Sequence, residues 1–365
     1  MKLTPSLEKI YGHEQQTAVE AQRRAQEIAF APVVFQVSRL MLKFGILEHL
    51  SECREGATQQ EIAARAHLSD YAAQVLLEAS LSIGTVLIEG ERYTLSKAGR
   101  FLLNDRMVRA NLDFNHDVNY LGLFSLEESL LNGKPEGLKV FGDWPTIYEG
   151  LSSLPAQVQK SWFGFDHFYS DESFSAALKL VFGGARKVRR LLDVGGNTGR
   201  WAMRCVEYDP DVEVTIMDLP QQLEMMRRQT AGRPGAERID GYGCNLLDES
   251  VPFPQTPCFD VIWMSQFLDC FSEQEVTSIC RRAAAAMGPE SRLMIMETFW
   301  DRQRFETAAY CLTLTSIYFT AMANGNSKMY HSDDMTRCVE AAGLEVESIV
   351  DGLGMGHSVM ICKRR

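Results

Sequence analysis

Twelve residues, Leu191-Leu192-Asp193-Val194-Gly195-Gly196-Asn197-Thr198-Gly199-Arg200-Trp201-Ala202, constrain this chain more than any others. An apolar run interrupted only by Asp193 leads into a glycine loop, and the loop leads into helix-forming residues. That order predicts a buried strand, a tight turn and the start of a helix. Glycine takes up positive φ and lets another group approach the backbone closely; Asn197 is the next most tolerant residue type. Further apolar runs, VEVTIMDL, FDVIWMSQ and SRLMIMET, alternate with helical stretches such as Glu273 to Met287. Such alternation predicts an α/β fold with a doubly wound parallel sheet. The tail, GLEVESIVDGL and then HSVMICKRR, supplies antiparallel edge strands, with Lys363, Arg364 and Arg365 as a solvated end.

Asp218 closes the second apolar run, 25 residues after Asp193. A carboxylate at the carboxyl end of the second strand can accept both hydroxyls of an adenosine ribose. The dinucleotide fingerprint G-x-G-x-x-G is absent, because the glycines stand at 195, 196 and 199, and no GxxxxGK[ST] occurs. An acidic residue opening the loop suits a cationic ligand better than a pyrophosphate, so Asp193 points towards S-adenosylmethionine. A purely structural glycine turn that binds nothing is the alternative.

The N-terminal third reads as helices with an apolar face at Ala29, Val33, Val37, Leu40 and Leu47. Thr58 is placed to cap a helix reaching Ala66, and Ser69 or Asp70 a second one that Gly84 stops. Val86-Leu87-Ile88 and Arg92-Tyr93-Thr94-Leu95 flank the turn Glu89-Gly90-Glu91, which completes a winged helix. Such units read DNA in transcriptional regulators, which is the rival function. The second helix, however, has no Lys or Arg, and the chain carries 37 basic against 48 acidic residues, a net charge of -11. An acidic surface repels phosphate backbones, so no nucleic-acid partner is expected. No apolar run is long enough to span a bilayer, and the opening residues show no secretory h-region. Nine scattered cysteines without a CxxC pair imply reduced thiols and no metal site, hence a cytoplasmic protein.

DVGGNTGRWA, MDLP, SVPFP and FLDCFSEQE, in this order after a winged helix, resemble the class I S-adenosylmethionine-dependent O-methyltransferases of plant and bacterial small phenols and natural products. The resemblance covers nearly the whole chain. It implies a winged-helix dimerisation domain over residues 1–105, a helical linker and pocket region over 106–186, and a Rossmann-like methyltransferase domain over 187–365. It also implies a homodimer, a small-molecule substrate and no membrane partner. Carried over, the cofactor would meet Asp193, Gly195, Gly196, Asn197 and Gly199 at the loop, and Asp218 and Leu219 after the second strand. Asn245 and Leu246 would flank the adenine, and Met264 and Ser265 would follow, Ser265 standing where the family often has Lys.

The catalytic residues depart from that family. Asp269 stands at the position of its general-base His, Glu297 matches the first of two supporting Glu residues, and Met329 replaces the second. Asn324 matches an amide that touches substrate, His116 and His167 fall in the region that roofs the family's pocket, and Met322 is expected near the pocket mouth as a substrate contact. Positioning supplies about 7–11 kcal/mol of a displacement barrier, whereas a general base adds about 10²–10⁴-fold, so losing the His need not abolish methyl transfer. Three readings follow: O-methylation of an acidic phenol or enol, C-methylation of an electron-rich ring whose hydroxyl Asp269 holds, or a cofactor-binding relative without transfer. His116, His167 and His331 are candidate replacement bases. Phe267, Phe299, Trp300, Phe319, Met322 and Met329 suit a flat apolar substrate or core packing, and a helix from Arg304 to Met322 is expected to cover the pocket, to pack against a partner's N-terminal domain, or both.

Overall fold

Thr58 caps the helix Gln59–Ala66: its hydroxyl accepts the Glu61 N–H at 3.3 Å, and the Glu61 carboxylate accepts the Thr58 N–H at 2.8 Å. The exchange satisfies two donors that a helix start otherwise leaves bare. Ser69 caps the helix Asp70–Ile83 through the Ala72 N–H, and Gly84 ends it at φ +86°. Strands β1 (Ala57–Thr58), β2 (Val86–Glu89) and β3 (Arg92–Leu95) pair antiparallel in the order β1-β3-β2. The sequence predicts the two longer strands; β1, with two residues, is too short to leave a periodicity. Met41, Ile46, Leu47, Leu77 and Val86 form the core of this winged helix.

The computed structural model describes residue 3, residues 5–255 and residues 258–365. They divide into two compact units, residues 10–117 and residues 118–365 together with those described before residue 10. The first unit therefore runs past the boundary read at residue 105, because the helix Arg106–Phe114 packs against its predecessor Lys97–Asn104. Between Asn115 and Ser153 the chain makes only short helical turns, as its glycines and prolines predict, before the longer helices Ala156–Asp171 and Phe174–Phe182.

The second unit is built on seven strands: β4 (Arg190–Val194), β5 (Glu213–Asp218), β6 (Ile239–Gly243), β7 (Val261–Ser265), β8 (Arg292–Glu297), β9 (Leu344–Leu353) and β10 (His357–Arg364). Their order is β6-β5-β4-β7-β8-β10-β9. The first five are parallel, and β10 runs antiparallel between β8 and β9. Edge strand β6, IDGYG, has two glycines and no apolar run, so the sequence does not announce it. Buried side chains pack on both faces, one core holding the helix Glu273–Ala286 and the other the helices Phe174–Phe182 and Arg200–Tyr208.

From β4 the chain winds outward to β5 and β6, then returns to place β7 and β8 on the other side. This reversal opens a crevice at the carboxyl ends of β4 and β7. The expected helix from Arg304 to Met322 is shorter, Glu306–Tyr318, and passes into a π-helical turn, Phe319–Ala323. Among the described residues no helix is long and apolar enough to cross a membrane.

Candidate active site

Gly195 turns the chain out of β4 at φ +73°, and its N–H still donates to the Met217 carbonyl of β5 at 2.9 Å. A Cβ on Gly195 would lie 2.2 Å from the Phe267 ring, and one on Gly196 would lie 2.5 Å from the Asp193 carboxyl. The loop is thus closed against two functional groups at distances only glycine permits. Asn197 adopts φ +50°, as its residue type predicts, and Gly199 leads into the helix Arg200–Tyr208.

Beside the loop lies a cleft with about 540 Å³ of empty volume. Asp193, Gly195, Gly196, Asn197 and Ser265 line it as expected, joined by Asp166, His167, Phe174, Trp201 and Gln266. Trp201 stacks on Trp263 at 4.7 Å, which anchors the helix to the sheet. Asp193 is 2% exposed, and its Oδ2 has no hydrogen-bond partner. Burial, and secondly the neighbouring Asp218, push its carboxyl up to about 8. A buried carboxyl with a bare oxygen is satisfied by a cation or a strong donor and repelled by phosphate. The residues therefore fit the ammonium and sulfonium end of S-adenosylmethionine.

Asp218 is held by both oxygens, Oδ2 accepting the Asn197 N–H at 2.8 Å and Oδ1 the Leu219 N–H at 2.7 Å. Each oxygen keeps acceptor capacity, which suits two ribose hydroxyls. Burial raises its carboxyl pKa. Gly199, Asp218, Leu219, Asn245, Leu246 and Met264 do not line the cleft. Met264 is fully buried in the core and Leu246 nearly so. The Asn245 Oδ1 expected at the adenine accepts the Leu247 N–H at 3.0 Å, because an Asx turn is the nearest donor for a short amide.

Asp269 lies in the 3₁₀ turn Leu268–Cys270, just past β7, and is 6% exposed. Burial pushes its carboxyl up to about 6, while the Cys270 thiol, donating to Oδ1 at 3.4 Å, opposes that rise. Glu297, ending β8, accepts the Phe267 N–H at 3.0 Å and the Leu268 N–H at 2.9 Å on Oε1. Its Oε2 is buried and unpartnered. Burial and the nearby Asp269 hold its carboxyl well above the usual range, while the Phe267 and Leu268 N–H groups oppose that rise. Glu297 therefore positions the turn that carries Asp269. Because the Phe267 ring fills the missing Cβ space of Gly195, cofactor loop and carboxyl turn are in direct contact.

The remaining expected residues occupy diverse places. The Asn324 Nδ2 donates to the Cys270 carbonyl and its Oδ1 accepts the Ser327 hydroxyl at 2.9 Å, so its amide braces the Asp269 turn. Met322 is fully buried with its sulfur against Gly122, and Met329 accepts the Thr298 hydroxyl at 3.6 Å. Both belong to the packing. His331, a candidate base, is buried and caps the helix Ser332–Ala341, its Nδ1 accepting the Asp333 N–H at 3.0 Å. His167 lines the cofactor cleft. His116, in the N-terminal unit, lies 2.7 Å from Asp117. Sequence reasoning missed Gln266, Cys270 and Tyr148. The Tyr148 hydroxyl is buried, and its interactions with Cys270 and Asp269 place it beside the carboxyl pair. The Tyr318 hydroxyl, held by the Trp162 indole N–H at 2.7 Å, also senses Asp269. No motif flags either tyrosine.

Known proteins share this architecture. A Dimerisation2-like domain matches residues 22–93 and an O-methyltransferase domain residues 172–345. The L-tyrosine C(3)-methyltransferase of Streptomyces lavendulae is 22% identical over 326 residues, 88% of this chain and 86% of its own. Among solved structures, the apo form of the S-adenosylmethionine-dependent methyltransferase SibL superposes with a TM-score of 0.70 at 22% identity, covering 93% of this chain and 98% of its own. The O-methyltransferase NcsB1 from neocarzinostatin biosynthesis, in complex with S-adenosylmethionine and 2-hydroxy-5-methyl naphthoic acid, gives 0.65 at 18% identity, covering 91% and 96%. With its two matched domains, its strand order and its acidic glycine loop, the chain belongs to the S-adenosylmethionine-dependent methyltransferases of the O-methyltransferase family.

Proposed function

We propose that this enzyme methylates a small hydroxylated aromatic molecule, with Asp269 holding the hydroxyl and accepting its proton. The observation that carries the reading is the buried carboxyl pair on a turn whose Phe267 ring meets the cofactor loop at Gly195, with the buried Tyr148 and Tyr318 hydroxyls within the electrostatic reach of Asp269. Bound S-adenosylmethionine supplies an activated methyl group on a sulfonium. Asp193 receives the cationic end, Asp218 the ribose, and the glycine loop admits the backbone approach. An ordinary Asp with a pKa of about 3.9 is a poor acceptor for a phenol near 10. At about 6, Asp269 narrows that gap, and burial beside Asp269 favours the neutral form of Glu297. The partly buried Phe267 and Phe271 rings at the turn favour a flat apolar substrate.

A second reading places the methyl on the ring carbon beside the hydroxyl. The Streptomyces relative, named for transfer to carbon, favours it, as does a carboxylate that draws on the hydroxyl and pushes electron density into the ring. The test is to give the protein S-adenosylmethionine with a trideuteriomethyl group and a panel of phenols, L-tyrosine included. A product heavier by one labelled methyl supports the reading, and its fragmentation assigns oxygen or carbon. Failure across phenols, with transfer to a non-aromatic acceptor, would reject it.

We also propose that the enzyme works as a cytoplasmic homodimer paired through its N-terminal unit. The helix Ala18–Ala29 buries no residue, and Ile28, Phe30 and Val33 expose more than half their surface, as an unpaired interface would. All nine cysteines are free thiols, in keeping with a reducing compartment. A mass independent of concentration and equal to one chain in sedimentation would reject the dimer. Helix Asp70–Ile83 exposes Tyr71 and Val75 and carries no cation, which supports the absence of a nucleic-acid role. Saturable gel shifts on random duplex at low salt would overturn that part.

A further inference from the structure

Gln266 is the first residue past β7 and has φ +45°, a conformation that glutamine seldom adopts. Its N–H still donates to the Met296 carbonyl at 2.9 Å, so the ladder to β8 continues through the unusual backbone. Its side chain lines the cofactor cleft, and the Oε1 atom is buried without a hydrogen-bond partner. Across the same cleft Asp193 Oδ2 is likewise buried and bare. Asn197 Oδ1 and the Trp201 indole N–H are also buried and bare among the residues lining this cleft, which makes three acceptors to one donor. Such an excess calls for a ligand group with several N–H donors, since each acceptor would otherwise lose its hydration uncompensated.

We infer that Gln266 Oε1 and Asp193 Oδ2 together receive the α-ammonium of the cofactor's amino-acid end, which makes Gln266 a cofactor-binding residue. An ammonium carries three donors, and one carboxyl oxygen cannot satisfy them. A neutral amide adds the second acceptor without placing another negative charge beside Asp193 and Asp218. The assignment rests on the S-adenosylmethionine reading and deepens it, because the pair reads the amino-acid part and is indifferent to the nucleoside.

Calorimetric titration of the unliganded protein with S-adenosylhomocysteine and with 5′-methylthioadenosine, which lacks the amino-acid part, tests it. Gln266→Leu is expected to weaken S-adenosylhomocysteine about tenfold, the loss that accompanies one hydrogen bond to a charged group. The same variant should bind 5′-methylthioadenosine as wild type does. Gln266→Glu, which keeps an acceptor, should restore most of the affinity. Gln266→Asn, too short to reach, should behave as the leucine variant and serves if that one fails to fold, which thermal melts report. An unchanged affinity for S-adenosylhomocysteine, or an equal loss for both ligands, would overturn the assignment. A wild-type protein that binds neither ligand would overturn the cofactor reading itself, and this inference with it.

Discussion

Replacing Asp269 by asparagine separates what the residue does for the reaction from what it does to the fold. Asparagine keeps the volume and the oxygen that accepts the Cys270 thiol, but loses the charge and the basicity. Positioning of substrate and methyl donor survives, so the loss is confined to the general-base contribution of about 10²–10⁴-fold. Asp269, at about 6, remains well below a phenol, which places the expected fall in turnover at the low end, about tenfold to a hundredfold. Affinity for S-adenosylhomocysteine should not change. In the wild type, kcat/KM should fall as pH drops through about 6, since only the ionised carboxylate accepts a proton, and the variant should lack this limb. Stability moves the other way. An acid whose folded pKa exceeds its unfolded value holds its proton more tightly when folded, so stability declines as pH rises from about 4 to about 6 and stays lower above. A shift of about two units corresponds to roughly 3 kcal/mol. Asp269→Asn, which never ionises, should therefore melt higher than wild type at pH 7.5 and equally near pH 4. Label transfer from trideuteriomethyl donor gives the rates, and scanning calorimetry gives the melts. A variant with wild-type turnover would refute Asp269 as the acceptor, and one that melts lower at neutral pH would refute the burial argument.

Three further outcomes are expected. With its carboxyl at about 8 in the free protein, Asp193 must lose a proton to hold a cation, so S-adenosylhomocysteine affinity should rise with pH up to about 8 and then level off; calorimetry in buffers of different ionisation enthalpy should detect the released proton, and a flat profile would contradict it. Gly195→Ala pushes a methyl into the Phe267 ring at positive φ, so it should melt lower, by about 1–3 kcal/mol, and bind S-adenosylhomocysteine more weakly. Glu297→Gln mimics the neutral acid and should keep the fold and most activity, whereas Glu297→Ala leaves the Phe267 and Leu268 N–H groups bare in the interior and should destabilise by about 1–3 kcal/mol for each group left unpaired; equal behaviour of the two variants would refute the positioning role.

The sequence alone determined the features that rest on local chemistry. Capping residues Thr58 and Ser69, the stop at Gly84, the strand before Gly195 and the left-handed Asn197 are each dictated by side chains a few positions apart. The order of apolar runs also fixed the parallel sheet, because strands buried on both faces must be apolar throughout. Edge strand β6 escaped for the converse reason: half exposed and glycine-bearing, it is held by its neighbour β5 rather than by its own composition. The roles of the site residues needed the tertiary structure. Asn324 and Glu297 read as substrate-contacting or catalytic groups, yet donors from the Asp269 turn and acceptors within it engage their polar atoms. Asp193, Asp269 and Glu297 are ordinary carboxyl groups in sequence; only burial and mutual proximity displaced their proton affinities. Gln266 and Tyr148 carry no motif; the first became visible as a bare polar atom inside the folded chain, the second through its burial beside Cys270 and Asp269. Desolvation and the pairing of distant polar groups arise only when the chain closes, so these properties belong to the fold and not to any stretch of sequence.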